Sequence, residues 1–437
     1  MRQFLEKLDE AWAKGYEYIG GSPIVIKRTD INSPMSDANT ILGERRIREA
    51  LHTTVELRKA GAVAVSDGAH QSRPGKVDFY PLIAHARLLN RILQKEYAEE
   101  FLEWKYVFSE TCWGLTQFND LTQGKNVLSN NLRFAPWETQ VPHNLFDTPP
   151  VRLIEKLRLA GQRVCYVQDA FASAHRGSTQ KDASMLALPS LLKRRGIPVF
   201  PSRSFAEEMI KYAKINEQIN KNKKVVVALF GAKVTDYLDV LRLYTKHENI
   251  KFITGSILSL VFLKSQNPSL NFGPTEERFF KNISSNEMKQ FEKYYDPDRI
   301  YIAQDLIEQT PQKLIFHTLK PQSKIKYEVQ GIGPDTVQYY ADKIKGSQLL
   351  IINGCPFNIN RFETLGDHFK KFMKLVRKRN GKLKIYGAGG DAITAIEFTG
   401  IKTDISSTAG KLGLLAPMVE TMEDLNRYAP AVIPLIR

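Results

Sequence analysis

The chain has 437 residues, 43% of them hydrophobic and 25% charged, and Lys and Arg exceed Asp and Glu by 62 to 47, for a net charge of +15. That composition excludes a disordered or fibrous chain, and the length calls for two hydrophobic cores rather than one. Three widely spaced cysteines, Cys112, Cys165 and Cys355, form no CxxC pair. They argue against a structural zinc site or a disulfide framework and predict the cytoplasm or another reducing compartment.

The N-terminal stretch MRQFLEKLDEAW mixes acids with bases. It reads as neither a signal peptide nor a transit peptide, so an organelle enters only if a presequence has been removed. The longest apolar runs, such as 258–263, fall far short of the ~20 residues of a membrane span. Candidate strands follow at 23–27, 62–65, 125–129, 164–167, 224–230, 251–254, 349–352 and 383–386, with helical patterns between most of them, for example at 43–60 and 81–93. This alternation predicts an α/β fold of parallel sheets wrapped by helices. Residues 202–222, SRSFAEEMIKYAKINEQINKN, form a polar amphipathic helix suited to connect two α/β domains. The densest basic run, KKFMKLVRKRNGKLK at 370–384, reads as a solvated helix face leading into a strand. Basic residues are otherwise spread along the chain, and no nucleic-acid-binding signature occurs. Small anionic substrates suit the charge better than a nucleic acid.

Ligands of open α/β sheets bind at the carboxyl ends of strands. The segments in those places are Arg28-Thr-Asp30-Ile-Asn32, then Asp67 through His70 to Arg73, then Asn130 to Arg133, then Gln168 through His175 to Arg176 and Gly177. Each arginine alone reads as a surface residue. Four strand ends delivering cations to one edge predict an anion trap, because the guanidinium fork binds phosphate and stays charged. Near the end of the chain, KIYGAGGDAITAI (384–396) sets Gly387, Ala388, Gly389 and Gly390 between a strand and a helix, with Asp391 next. Two readings stand: a turn that cradles phosphate with Asp391 on Mg²⁺, or a tight turn with Asp391 as N-cap.

The segments RTDINSP, GERRIREAL, SDGAHQSRP, NNLRFAP, YVQDAFASAHR, FGAKVTD, GIGPDT, ING and GAGGD resemble, in order and spacing, those of phosphoglycerate kinases. The resemblance covers nearly the whole chain. It implies two doubly wound, Rossmann-like domains: 1–201 binding 3-phosphoglycerate or 1,3-bisphosphoglycerate, and 223–415 binding an adenine nucleotide as Mg-ATP or Mg-ADP. The helix 202–222 would be the hinge between them, and the tail 416–437 would return to the first domain. The implied reaction is phosphoryl transfer between 1,3-bisphosphoglycerate and ADP in glycolysis. By the same resemblance Asp30 and Asn32 would bind the glycerate, and Arg46 would lie at the transferred phosphoryl group. His70, Arg73, Arg133 and Arg176 would form the basic patch around the substrate phosphate. Gly231, Ala232, Lys233, Asn353, Gly389, Gly390 and Asp391 would bind nucleotide, with Lys233 catalytic and Asp391 on the metal. A ribose-binding glutamate falls on Asn360 or, with a short insertion, on Glu363.

The nucleotide half departs from the family's pattern. Tyr237 stands where the family has a second lysine, Cys355 for a proline, Ala388 for a glycine and Ala392 for a threonine. The loop ISSTAGKLGLL (405–415) is about two residues short, and Lys411 is the candidate substitute cation. Losing one charge-stabilising donor typically costs about 10²–10³ in rate. The departures predict an impaired kinase, or a catalytically inactive homologue serving as a binding or structural subunit of a protein assembly.

Overall fold

In the computed structural model, residues 2–142, 144–176, 181–221, 223–320, 323–358 and 362–436 are described. The chain divides into two compact units, Met1–Ile210 with Val419–Arg437, and Lys211–Met418. Gly177, Asn222, Asn360 and Arg437, which the sequence reading touches, lie outside the described residues, as does the side chain of Glu363.

The first unit is built on a six-stranded parallel sheet. In spatial order its strands are Tyr106–Ser109, Asn126–Ser129, Ala64–Gly68, Ile24–Arg28, Val164–Gln168 and Val199–Pro201. Parallel strands covered on both faces read as near-continuous apolar runs, which is how Ile24–Ile26 and Val164–Val167 are legible. Ile24–Arg28 nonetheless ends in two buried cations. Lys27 lies 3.2 Å from Asp67 and 3.8 Å from Asp169 and donates to Ala50 O and Thr54 Oγ1, both at 2.7 Å. A buried ammonium is tolerable only with such pairing. The chain winds to one side of Ile24–Arg28 at Ala64–Gly68 and returns on its other side at Val164–Gln168. The switch point that opens a ligand crevice therefore lies at Arg28 and Gln168.

Helix Arg2–Ile19 packs on Val199–Pro201 and on the C-terminal helix Ile433–Ile436. A Cβ on Gly15 of that helix would sit 2.2 Å from the ring of Phe200, so only glycine fits this approach. The C-terminal segment also reaches the functional edge of the sheet: Ala431 N–H donates to Ala174 O at 3.3 Å, two residues before Arg176.

The second unit repeats the plan. Its parallel sheet runs Ile300–Tyr301, Ile250–Thr254, Val225–Leu229, Leu349–Asn353, Lys384–Ala388 and Ile405–Ser407. The switch point falls between Val225–Leu229 and Leu349–Asn353. A three-stranded antiparallel sheet, with Asp305–Gln309 between Leu314–Thr318 and Glu328–Ile332, is an addition the sequence reading did not contain. Each predicted strand is present, and the α/β class of two doubly wound parallel sheets holds. Among the described residues no helix is long and apolar enough to cross a membrane.

Candidate active site

The carboxyl edge of the first sheet gathers the predicted cations around His70. Arg28, 1% exposed, closes its strand and points three ways. Its Nε donates to Ser184 Oγ at 2.9 Å, Nη1 donates to Thr29 O, and Nη2 meets His70 Nδ1 at 2.7 Å. Ser184 passes the interaction on, donating from Oγ and from N–H to the buried Glu138 carboxylate, each at 2.7 Å. On its other side, His70 Nε2 lies 3.2 Å from Arg176 Nη1. Burial, then the charges of Arg28, Arg133, Arg176 and Arg46, hold the His70 pKa well below its ordinary value, so the ring is neutral. A neutral imidazole has one acceptor nitrogen, and arginine can only donate. The shorter contact makes Nδ1 the acceptor from Arg28, which puts the proton on Nε2, facing an N–H of Arg176. Two donors aimed at one another are satisfied when anionic oxygens accept from both.

Around this centre Arg46 Nη1 donates to Asn32 O at 2.9 Å and lies 3.5 Å from Asp30 Oδ2. Asn32 Oδ1 accepts from Ser72 N–H at 2.8 Å, which ties the first loop to the second. Arg133 donates to Ser72 O at 2.5 Å and pairs with Asp182 at 3.2 Å. Arg73 is exposed beside Ser72, and its charge lowers the pKa of both Arg133 and Arg176. Burial, then Arg133, brings the Arg176 guanidinium down to about 10. Cations crowded enough to weaken one another's protonation make a site whose missing counter-charge is an anion. The structure thus brings Asp30, Asn32, Arg46, His70, Arg133 and Arg176 to one edge, with Arg73 at the rim. His70 is buried, and both of its ring nitrogens face arginines.

In the second unit the turn after Val225–Leu229 carries Gly231, Ala232 and Lys233, the last two exposed. The Tyr237 side chain is buried and turns back on this loop. Its hydroxyl accepts from Gly231 N–H at 2.7 Å and donates to Asn353 Oδ1 at 3.0 Å. Burial holds this phenol far above its ordinary pKa, so it remains a neutral donor. Asn353 Nδ2 donates to Ala388 O at 2.8 Å and to Gly410 O at 3.3 Å. One amide thus laces the ends of three strands.

The turn at 388–391 corrects one reading of the sequence. Helix Gly390–Phe398 has Gly389 as N-cap, with no side-chain cap, and Asp391 sits exposed in the first turn. Asp391 is therefore not the N-cap. Gly389 has φ 98°, and a Cβ there would lie 3.2 Å from Gly410 Cα, so both backbone and space require glycine. Lys411 is held 3.4 Å from Asp236 and 3.1 Å from Asp239. Among the described residues no group of three or more metal-ligating side chains occurs.

Arg28 is the buried cation of this edge to which the sequence alone assigned no role. It ends a buried run and was read only as part of a motif, although it follows the strand whose edge forms the switch point. Asp182, Ser184 and Glu138 carried no signal at all, because their roles depend on contacts across 46 to 156 residues of chain.

Two doubly wound parallel sheets, each presenting its polar groups at the carboxyl strand ends, are the architecture of a two-domain α/β protein with a small-molecule crevice on each unit. The chain belongs to the phosphoglycerate kinase family, whose model, described as "Phosphoglycerate kinase", matches residues 21–415. Similar proteins include the phosphoglycerate kinase of Methanococcus maripaludis, 27% identical over 88% of this chain and 90% of that protein. That of Methanothermobacter thermautotrophicus is 28% identical over 92% of this chain and 94% of its own. Among solved structures, the phosphoglycerate kinase of Pyrococcus horikoshii superposes with a TM-score of 0.73 at 21% identity, over 95% of this chain and 96% of that one. That of Coxiella burnetii superposes with a TM-score of 0.60. At this identity the structural likeness speaks for the fold.

Proposed function

We propose that the first unit binds 3-phosphoglycerate or 1,3-bisphosphoglycerate, and that the protein exchanges a phosphoryl group between the bisphosphoglycerate and ADP with impaired turnover. The observation that carries this reading is His70 held neutral between Arg28 and Arg176, with Arg133 and Arg46 beside it. In that reading the arginine forks take the substrate phosphate, His70 Nε2–H donates to it, and Asp30 and Asn32 hold the glycerate end. Arg46 would offset the charge that develops on the phosphoryl group in transfer, since charge stabilisation and positioning are most of what phosphoryl transfer requires. Mg²⁺ would supply charge neutralisation between the nucleotide phosphates, with Asp391 as its protein ligand and Lys233 on the nucleotide phosphates. Three free thiols suit a reducing compartment.

A second reading, a catalytically silent family member that binds ligand within a larger assembly, is favoured by one observation: the Tyr237 hydroxyl on the Gly231 N–H. Calorimetry with 3-phosphoglycerate and a coupled assay with 3-phosphoglycerate and MgATP separate the two. Binding with slow turnover supports the first reading and binding without turnover the second. Absence of 3-phosphoglycerate binding removes both.

A further inference from the structure

We propose that Tyr237 is the residue that sets nucleotide affinity in the second unit, its hydroxyl capping from within the backbone N–H that a nucleotide phosphate would otherwise take. The inference rests on the reading of the Gly231–Lys233 turn as a nucleotide-phosphate site and goes further, by naming what closes it.

The hydroxyl lies where the two central strands of the sheet separate. It spans the turn after Val225–Leu229 and the end of Leu349–Asn353, accepting from Gly231 and donating to Asn353. Both of its hydrogen-bonding directions are thereby used, and so is the side chain of Asn353, whose amide is spent on Ala388 O and Gly410 O. The packing is close: a Cβ on Gly231 would sit 2.5 Å from the Tyr237 oxygen. A phosphate oxygen approaching Gly231 N–H must displace a buried neutral partner already in place.

Local charge points the same way. The cation nearest this helix start in function, Lys411, is drawn onto Asp236 and Asp239, which flank Tyr237 in sequence. Arg242 also pairs with Asp239, at 2.9 Å, so Asp236, Asp239 and the exposed Asp391 are matched by Lys233, Lys411 and Arg242. A lysine at 237 would tip that balance towards an anion, whereas tyrosine adds no charge to it. The ligand class concerned is a nucleoside di- or triphosphate with Mg²⁺, and the device acts on affinity before chemistry.

The test uses the full chain and three proteins: the parent, Tyr237→Phe and Tyr237→Lys. Calorimetric titration with MgADP should show tighter binding to the phenylalanine variant by about 3–10-fold, the range of one neutral hydrogen bond. The lysine variant should gain more, because its hydrogen bond to phosphate is charge-assisted. Hydrogen exchange read on peptides spanning 225–237 should show the Gly231 amide losing protection in Tyr237→Phe without nucleotide, a result independent of any activity. Titration of 3-phosphoglycerate into the same three proteins reports on the first unit and should not change. Equal or weaker MgADP binding by Tyr237→Phe, unchanged Gly231 protection, or no MgADP binding by either variant overturns the proposal. Failure of the parent to bind 3-phosphoglycerate would instead remove the functional reading and leave the exchange result to decide on Tyr237.

Discussion

Arg133 shows how much of the substrate edge is carried by single side chains. Its guanidinium is split between the backbone of Ser72 and the carboxylate of Asp182, so it is already aimed before any ligand arrives. Arg133→Ala should weaken 3-phosphoglycerate binding by about 1.5–3 kcal/mol, the scale of a hydrogen bond to a charged group, as read by calorimetry. Unchanged affinity would place the phosphate elsewhere. The cations of this edge were legible because each follows a strand and stands in a motif. Their partners were not, since a serine or glutamate in a loop carries no mark of the arginine it will meet. Tyr237 was legible as a missing charge but not as a new hydrogen bond, because the reach of a side chain back to its own loop appears only in three dimensions.

Helices and strands differ in how much they disclose. Eight of the twelve parallel strands stand out as short apolar runs, whereas Tyr106–Ser109, Val199–Pro201, Ile300–Tyr301 and Ile405–Ser407 are too brief to show a pattern, and Leu314–Thr318 is half exposed. Helix Ile83–Glu96 hides something else, a histidine on its buried face. His85 is fully buried, and burial lowers its pKa to about 4. In the unfolded chain the same group titrates near ~6.5. Between those values the unfolded state binds the extra proton, so stability is lost as pH falls through that window, by on the order of 3 kcal/mol for this group. His70 acts in the same direction, its folded pKa also being depressed. Urea unfolding at pH 7.5 and pH 5 should show about 2 kcal/mol of that loss, and His85→Leu should shrink the difference. An identical difference in the variant would clear His85 of the effect.

For the whole molecule, the two units differ in how they hold their predicted groups. The first unit holds its predicted groups together. The second keeps Lys233, Asn353 and Asp391 but commits the Gly231 N–H and Lys411 to internal partners. Turnover in the coupled assay should therefore fall below the ordinary range of about 1–10³ s⁻¹. Tyr237→Lys combined with two glycines inserted after Gly410 should raise kcat by more than the product of the separate gains, because groups that act together are not additive. A parent enzyme already turning over in the ordinary range would show that these losses are compensated, with Lys411 the first residue to replace.

The return of residues 419–436 to the first unit has a consequence for how the protein is made. The last buried residues of that unit, Ile433 and Leu435 among them, leave the ribosome after all of the second unit has been translated. At about 5–20 residues per second, the 208 residues of Lys211–Met418 interpose a wait on the order of 10–40 s. Throughout that wait helix Arg2–Ile19 and strand Val199–Pro201 lack the helix Ile433–Ile436 that covers them. The first unit is begun first and finished last. A chain ending at Met418 should accordingly fold its second unit, leave the first sensitive to protease, and regain resistance when a peptide of residues 419–437 is supplied in trans. Equal resistance of the truncated and full chains would mean that the first unit closes without its final segment.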